Sequence, residues 1–294
     1  MSIANAAPSV MQGENRLGAA LVVASAFAFS TAGYFTRLID ADASTLLFWR
    51  GLFGGLFIAG FVVWRDGWNA LATLRHIGRP GLLAAACSAL ATICFIHAMR
   101  ETTVADVLVI NATAPFVAAG LAWAWLGVRE RRSTFVASSV ALLGVVVTVL
   151  DAFDAGRLLG NVLALVMTVL MATMMVLIRR HRGVCMLPAA ALSAVLCALL
   201  VLPWADPFGV SDDDFGNLAL FGTVQFGLGL LLLTLGTRRI SAARSALIGA
   251  LETPLAPALV WLAFGEVPSL MTCLGGAIVL GAIIGDLLFT KQKP

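Results

Sequence analysis

The chain has 294 residues, 60% of them apolar and 12% charged, with a formal net charge of +3. Soluble domains carry roughly 25% charged residues, and a mean hydropathy of +0.97 is too high for a body surrounded by water. These values exclude a cytoplasmic globular enzyme, a disordered protein and a small disulfide scaffold.

Hydropathy predicts ten helices in chain order. They are Leu17–Thr36, Ser44–Trp64, Gly81–Met99, Thr103–Leu126, Ser133–Leu150, Leu158–Ile178, Val184–Leu202, Phe215–Gly236, Ser241–Phe264 and Ser269–Phe289. A bilayer crossing needs about 20 apolar residues, and these stretches are apolar on nearly all sides, as lipid requires. The alternating ten-residue pattern of a membrane β-barrel is missing. Arg16 and the small residues Ala24-Ser25-Ala26 give the first stretch the look of a signal peptide. Its apolar run is about 20 residues, beyond the usual 7–15 of a signal core, so it reads as a retained helix. The expected fold is an all-α polytopic membrane protein with ten transmembrane helices. A tail over 1–15 precedes five-helix repeats over 16–152 and 153–290, and 291–294 form a second tail. The cysteines Cys87, Cys94, Cys185, Cys197 and Cys273 form no CxxC pair and read as small buried hydrophobes.

Basic residues set the orientation. With the N-terminus inside, fifteen of the nineteen Lys and Arg fall on the cytoplasmic side, from Arg16 to Lys293. Only Arg37, Arg100 and Arg157 fall outside, and Arg50 sits within the second span. This is the positive-inside pattern, with both termini cytoplasmic. The opposite loops carry Asp40, Asp42, Glu101, Asp151, Asp154, Asp206 and Asp212–Asp214.

The two halves resemble each other. At a shift of 142 residues, Leu17, Gly18, Leu21, Thr31 and Arg37 meet Leu159, Gly160, Leu163, Thr173 and Arg179. At a shift of 139, Arg100, Leu108, Pro115 and Ala119 meet Arg239, Leu247, Pro254 and Ala258. A five-span unit reverses direction, so the second copy is inverted, an arrangement in which two halves rock around a midplane site.

The five-plus-five layout, the Gly127–Glu130 turn after helix four, the Phe264–Glu266 turn after helix nine and Phe48-Trp49-Arg50 carry a family likeness. In these the chain, over about residues 16–290, resembles the drug/metabolite transporter superfamily, and within it the EamA-type bacterial exporters. The resemblance implies export of amino acids, metabolites or cationic drugs, and the overall look is similar to an aromatic amino-acid exporter. Asn111-Ala-Thr-Ala-Pro115 in one half faces Glu252-Thr-Pro254 in the other, so a site using that stretch is asymmetric.

Polar residues within spans are costly unless they face protein or water, which makes them site candidates. Glu252 lies about 16 Å into helix nine at 1.5 Å per residue, near the midplane. It is suited to a substrate amine or a coupling proton, or to pairing with Arg50 or a hydroxyl. Pro254 and Pro257 follow it, and Pro115 follows Asn111; each proline removes a backbone hydrogen bond and can bend its helix. Asn111 suits a substrate carboxylate or amine, or an interhelical hydrogen bond. Arg50 either attracts a carboxylate or snorkels outward or onto a helix end. His97 titrates near neutral pH or serves as a hydrogen-bonded structural residue. Gln225, beside Gly222, Gly227 and Gly229, is a further lining residue. Trp49, Tyr34 and Trp261 are possible aromatic walls, whereas Trp64, Trp68, Trp123 and Trp125 read as interface anchors. Four-residue spacings at Gly51/Gly55, Gly281/Gly285 and Ala24/Ala28/Ala32 predict close helix packing.

HExxH, GxSxG and P-loop patterns are all missing, which argues against an enzyme or an ATP-driven pump. The sequence points to a secondary transporter of the bacterial inner membrane, exporting aromatic or neutral amino acids or similar metabolites by alternating access. The alternatives are a multidrug or cationic-compound exporter of the same fold and, behind it, a membrane enzyme. No metal or cofactor is expected. The partners are a small-molecule substrate and the bilayer, with no nucleic acid, and the protein is a monomer or homodimer.

Overall fold

The computed structural model describes residues 8–67, 78–127, 132–154, 156–180, 186–237, 239, 248–249 and 251–290. Among them there is no strand. The first half holds α1 (Pro8–Ser30), α2 (Ala32–Leu38), α3 (Ala43–Asp66), α4 (Gly78–Glu101), α5 (Val104–Asn111), α6 (Ala114–Leu126) and α7 (Arg132–Asp154). The second holds α8 (Leu158–Arg180), α9 (Met186–Val201), α10 (Asp212–Leu220), a π-helical segment Phe221–Leu228, α11 (Gly229–Thr237), α12 (Glu252–Phe264) and α13 (Leu270–Thr290). Six stretches are long and apolar enough to cross a membrane: Arg16–Leu38, Ala43–Arg65, Gly78–Glu101, Val104–Trp125, Leu158–Leu177 and Asp212–Gly236. Three shorter apolar helical stretches join them, Ser139–Leu150, Pro188–Trp204 and Leu270–Ala282. The described residues form the all-helical, polytopic body of a membrane protein.

Three segments expected as single helices are interrupted, each for a local reason. The first breaks at Thr31, whose Oγ1 donates to the Ala28 carbonyl at 2.6 Å and competes with the helical ladder. The fourth breaks at Ala112–Thr113. Pro115 has no N–H to bond the carbonyl four residues back, at Asn111, and Thr113 Oγ1 takes the Ile110 carbonyl at 2.7 Å. The eighth begins at Asp212 rather than Phe215, because Ser211 caps the Asp214 N–H at 3.2 Å. It then widens into the π segment. Of the ninth expected helix, residues 241–247 and 250 lie outside the described residues; α12 starts at Glu252, with Pro254 in its first turn and Pro257 within it.

The principal helix contacts run between the halves: α1 on α11, α3 on α9, α4 on α8 and α7 on α13. Small residues allow the approach. A Cβ at Gly51 would lie 2.6 Å from the Ala194 carbonyl oxygen, and one at Gly236 2.9 Å from that of Gly18. At the α7–α13 crossing a Cβ on Gly144 would lie 2.7 Å from the Gly275 oxygen. The reciprocal distance, from a Cβ on Gly275 to the Gly144 oxygen, is 2.6 Å.

The Gly51/Gly55 expectation agrees with this packing. Gly281/Gly285 does not, and Ala24/Ala28/Ala32 does only in part, Ala32 being buried and Ala28 half-buried. Gly281 has no described atom within 4 Å of a built Cβ, nor has Gly285, because α13 turns Gly275 to its partner. Ala24 is exposed, since α1 turns Val22, Ser25 and Ala26 inward. Of the cysteines, Cys197 is buried and Cys87 and Cys94 half-buried, but Cys273 is exposed on the outer side of α13. Cys185 and Trp68 lie outside the described residues. Trp64, Trp123 and Trp125 are exposed, as membrane anchors must be.

The helices α6 and α12 end alike. Each has 13 residues, and each stops at a glycine in the left-handed region, Gly127 (φ 64°) and Gly265 (φ 72°). Each glycine N–H bonds a tryptophan carbonyl four residues back, Trp123 at 3.0 Å and Trp261 at 2.9 Å. Glycine adopts this backbone without a Cβ penalty, which stops both helices at the same point.

Candidate functional site

A cavity of about 570 Å³ opens between the halves. Its wall is built from α1, α3, α4, the end of α5, α8, α9, the π segment, α11, Gly249 and the start of α12. No described residue of α7 or α13 lines it. From Asn111 and Gln225, midway along the expected spans, it extends toward Val22, Ala84, Met175, Ala189 and Leu233, all nearer the Arg-rich connections.

Four of the sequence candidates meet there: Glu252, Asn111, Gln225 and Arg50. Local breaks place them. Asn111 is the last residue of α5, at the interruption before Pro115, and Glu252 is the first of α12. The π segment, a form common at functional sites, carries Gln225 and Phe226. It nests against α3 because Gly222 leaves room; a Cβ there would meet Phe53 Cβ at 2.6 Å.

Arg50 does not snorkel. It is 5% exposed, and its Nε donates to Gln225 Oε1 at 3.2 Å. Its guanidinium lies over the rings of Phe221 and Phe226, with centroids 5.1 and 4.5 Å away. Two cation–π contacts and a hydrogen bond hold the charge at the cavity wall and offset its desolvation.

The expected aromatic walls lie elsewhere. Trp49 stacks on Phe53 (5.3 Å, 21°) and donates its indole N–H to the Pro207 carbonyl at 3.2 Å, toward the Arg-poor face. Tyr34 falls beyond the Thr31 break and packs on Phe35 and Phe264. Trp261 is 52% exposed, because its register on α12 turns it outward. His97, half-buried on α4, is not among the lining residues. The cavity's rings are instead Phe29, Phe95 and Phe226, and its largest apolar contribution is Met167, Met171, Met174 and Met175 of α8. Four methionines at i, i+4, i+7 and i+8 share one helical face. That spacing was legible in the sequence.

The Arg-poor face is closed by polar contacts that join the halves. Arg37 Nε pairs with Glu266 Oε2 at 3.0 Å. Its other nitrogens donate to the Met99 carbonyl and, at 3.1 Å, to the Thr102 carbonyl. Glu266 Oε1 accepts the Val104 N–H at 3.1 Å, capping α5. Beside it Asp106, wholly buried, accepts from Thr272 Oγ1 at 2.5 Å and Thr102 Oγ1 at 2.9 Å, and pairs with Arg157 at 3.2 Å. Asp206 N–H donates to Thr45 Oγ1 at 2.8 Å, which in turn donates to Asp42 Oδ2 at 2.6 Å. The sequence reading put Arg37, Arg157, Asp42 and Asp206 on this side; the pairing across 229 positions for Arg37 and Glu266 left no sequence signal.

Comparison with known proteins decides the family. The model of the EamA-like transporter family matches twice, over residues 16–150 and 158–287. The chain belongs to the EamA-like transporter family. It is 26% identical over 275 residues to an uncharacterized transporter of Archaeoglobus fulgidus, covering 92% of this chain and 96% of that one. It is also 26% identical over 276 residues to the pseudopaline exporter CntI of Pseudomonas aeruginosa, covering 91% and 94%. A solved crystal structure shares the fold with a TM-score of 0.66 at 18% identity, over 94% of this chain and 98% of that one. This EamA protein is a multi-pass membrane transporter rather than an enzyme.

Proposed function

We propose that this transporter exports amino acids, aromatic or neutral, or similar small metabolites across the bacterial inner membrane by alternating access. The observation that carries the reading is the cavity. It gathers a carboxylate (Glu252), a guanidinium (Arg50) and two amides (Asn111, Gln225) among apolar walls. A zwitterion needs both charge types, and a hydrocarbon or ring needs the apolar remainder. Ten crossings in two inverted halves, with both termini in the cytoplasm, complete the proposal. The twice-matching family model supports it, as do the matching ends of α6 and α12. The contact pattern also supports it. Exchanging each expected span for the one five further on turns the α1–α11 pair into α8–α4 and maps α3–α9 and α7–α13 onto themselves. In this state the cavity faces the Arg-rich, cytoplasmic side while the latches around Arg37 and Asp106 close the outer one. That is the loading state of an exporter. Glu252 and Asn111, at helix interruptions, contact the substrate, and Glu252 is the candidate proton carrier.

Counterflow in liposomes against the twenty amino acids tests the substrate. Saturable exchange of neutral or aromatic members is expected, and E252Q should abolish proton-dependent flux. Exchange of organic cations alone would favour the multidrug reading, which a carboxylate among Phe29, Phe95 and Phe226 also suits. Full proton-dependent flux in E252Q would remove Glu252 from the coupling step.

A further inference from the structure

Four of the chain's nine methionines occur within nine residues of α8, and all four line the cavity. Their spacing covers an arc of about 100° on the helix at 3.6 residues per turn. The walls of α4 and α9 are built differently. Apart from Thr92 and Phe95 on α4, their lining residues are small: Ala84, Ala85, Ser88 and Ala91 on α4, with Ala189, Ala190 and Ser193 on α9. Small residues there create volume, and the methionine face meets whatever fills it. A thioether chain is unbranched, has three rotatable bonds and is polarizable, so it repacks around different shapes and makes favourable contacts with ring edges. A face of Leu or Ile would offer a fixed contour instead. Charged and amide groups come from other elements, α3, α5, the π segment and α12. The groups suited to a head group and the methionine face thus come from different elements of the cavity wall.

Resting on the exporter reading above, we propose that the Met167/Met171/Met174/Met175 face is the side-chain subsite. It receives the apolar part of the substrate, aliphatic or ring-bearing, and its plasticity makes the exporter broad in side chain while strict in head group. The ligand class is amphipathic: a small zwitterion whose hydrocarbon portion varies in shape.

Oxidation footprinting tests this on the unaltered full chain. Hydrogen peroxide transfers one oxygen to an accessible thioether, giving the sulfoxide, and peptide mass spectrometry reads each site. Tryptophan, leucine, tryptamine and indole-3-propionate serve as probes, and tryptophan and leucine flux is measured in the same preparation. Two methionines act as internal controls. Met99 is fully buried away from the cavity, and Met271 is 45% exposed on α13, outside it. Bound tryptophan is expected to slow oxidation of Met171 and Met174 at least about fivefold while leaving Met271 unchanged. A triple variant, M171L/M174L/M175L, keeps side-chain volume but removes plasticity. It should change the ratio of tryptophan to leucine inhibition constants by about fivefold or more. Tryptophan flux with these methionines unprotected overturns the subsite and leaves the exporter reading standing. An unchanged inhibition ratio in a folded triple variant does the same. Protection by tryptamine or indole-3-propionate without amino-acid flux upholds the subsite and overturns the amino-acid substrate. Neither flux nor protection overturns both.

Discussion

The contact between Arg37 and Glu266 joins α2 of one half to the segment just after α12 in the other. E266Q removes the ion pair while an amide oxygen remains to accept the Val104 N–H, so the change is confined to charge. Exposed pairs contribute about 0–1 kcal/mol, and hydrogen bonds to charged groups about 1.5–3 kcal/mol. Here the two side chains are 23% and 24% exposed at 3.0 Å, which places the pair between those ranges, at about 1–2 kcal/mol. A loss of that size shifts a two-state equilibrium roughly 5–30-fold. Cavity access from the outer side then rises by the same factor, provided outward opening breaks the pair. The assay uses right-side-out vesicles, a background without native cysteines and a single reporter, Thr92→Cys, on the cavity wall. A membrane-impermeant maleimide is added outside, with E266Q compared to the parent. A labelling rate within twofold of the parent would refute the latch, since Arg37 would then be bound equally well in both states.

D106N should lower stability by about 2 kcal/mol, measured by unfolding in detergent, because it removes the buried charge that Arg157, Thr272 and Thr102 converge upon. G275A forces a Cβ to within 2.3 Å of Thr148 Oγ1 and should cost about 1–3 kcal/mol in the same assay. G281A, with no described atom within 4 Å, should be neutral or stabilising by up to about 1 kcal/mol. D42A removes the cap of α3, where the carboxylate accepts the Thr45 N–H at 2.8 Å, and should cost about 1 kcal/mol. Burial raises the Asp42 pKa, but the hydrogen bonds from Thr45 and Ser44 outweigh it and hold the carboxyl below its ordinary 3.8. A depressed folded value stabilises above the unfolded pKa and loses that contribution as pH falls through the folded one. The gap between wild type and D42A should therefore be full near neutrality and shrink below about pH 4.

Much of this molecule was legible in its sequence because lipid imposes a simple rule on apolar length. The six long apolar spans and the helix break before Pro115 follow from residue type. Glu252, Asn111, Gln225 and Arg50 were found because polar atoms inside apolar runs need a reason. Trp49, Tyr34 and Trp261 were not cavity residues, since aromatic character does not say which side of a helix faces inward. The Thr31 break turned Tyr34 away, and register alone sends Trp261 outward. Methionine carries no charge to draw notice, so the α8 face emerged only when the helix was set beside the small residues of α4. The latch was beyond sequence reading because ion pairs between distant positions depend on how the halves dock.

The meeting of Gly144 with Gly275 bears on how such a machine turns over. Interlocking side chains act like gear teeth, and relative rotation requires them to disengage. Where backbone rests on backbone, with Thr148, Ile278 and Val279 packed beside the two glycines, tilting has fewer interdigitated rotamers to unlock. Because no described residue of α7 or α13 lines the cavity, change in the cavity walls can proceed while this crossing keeps its shape.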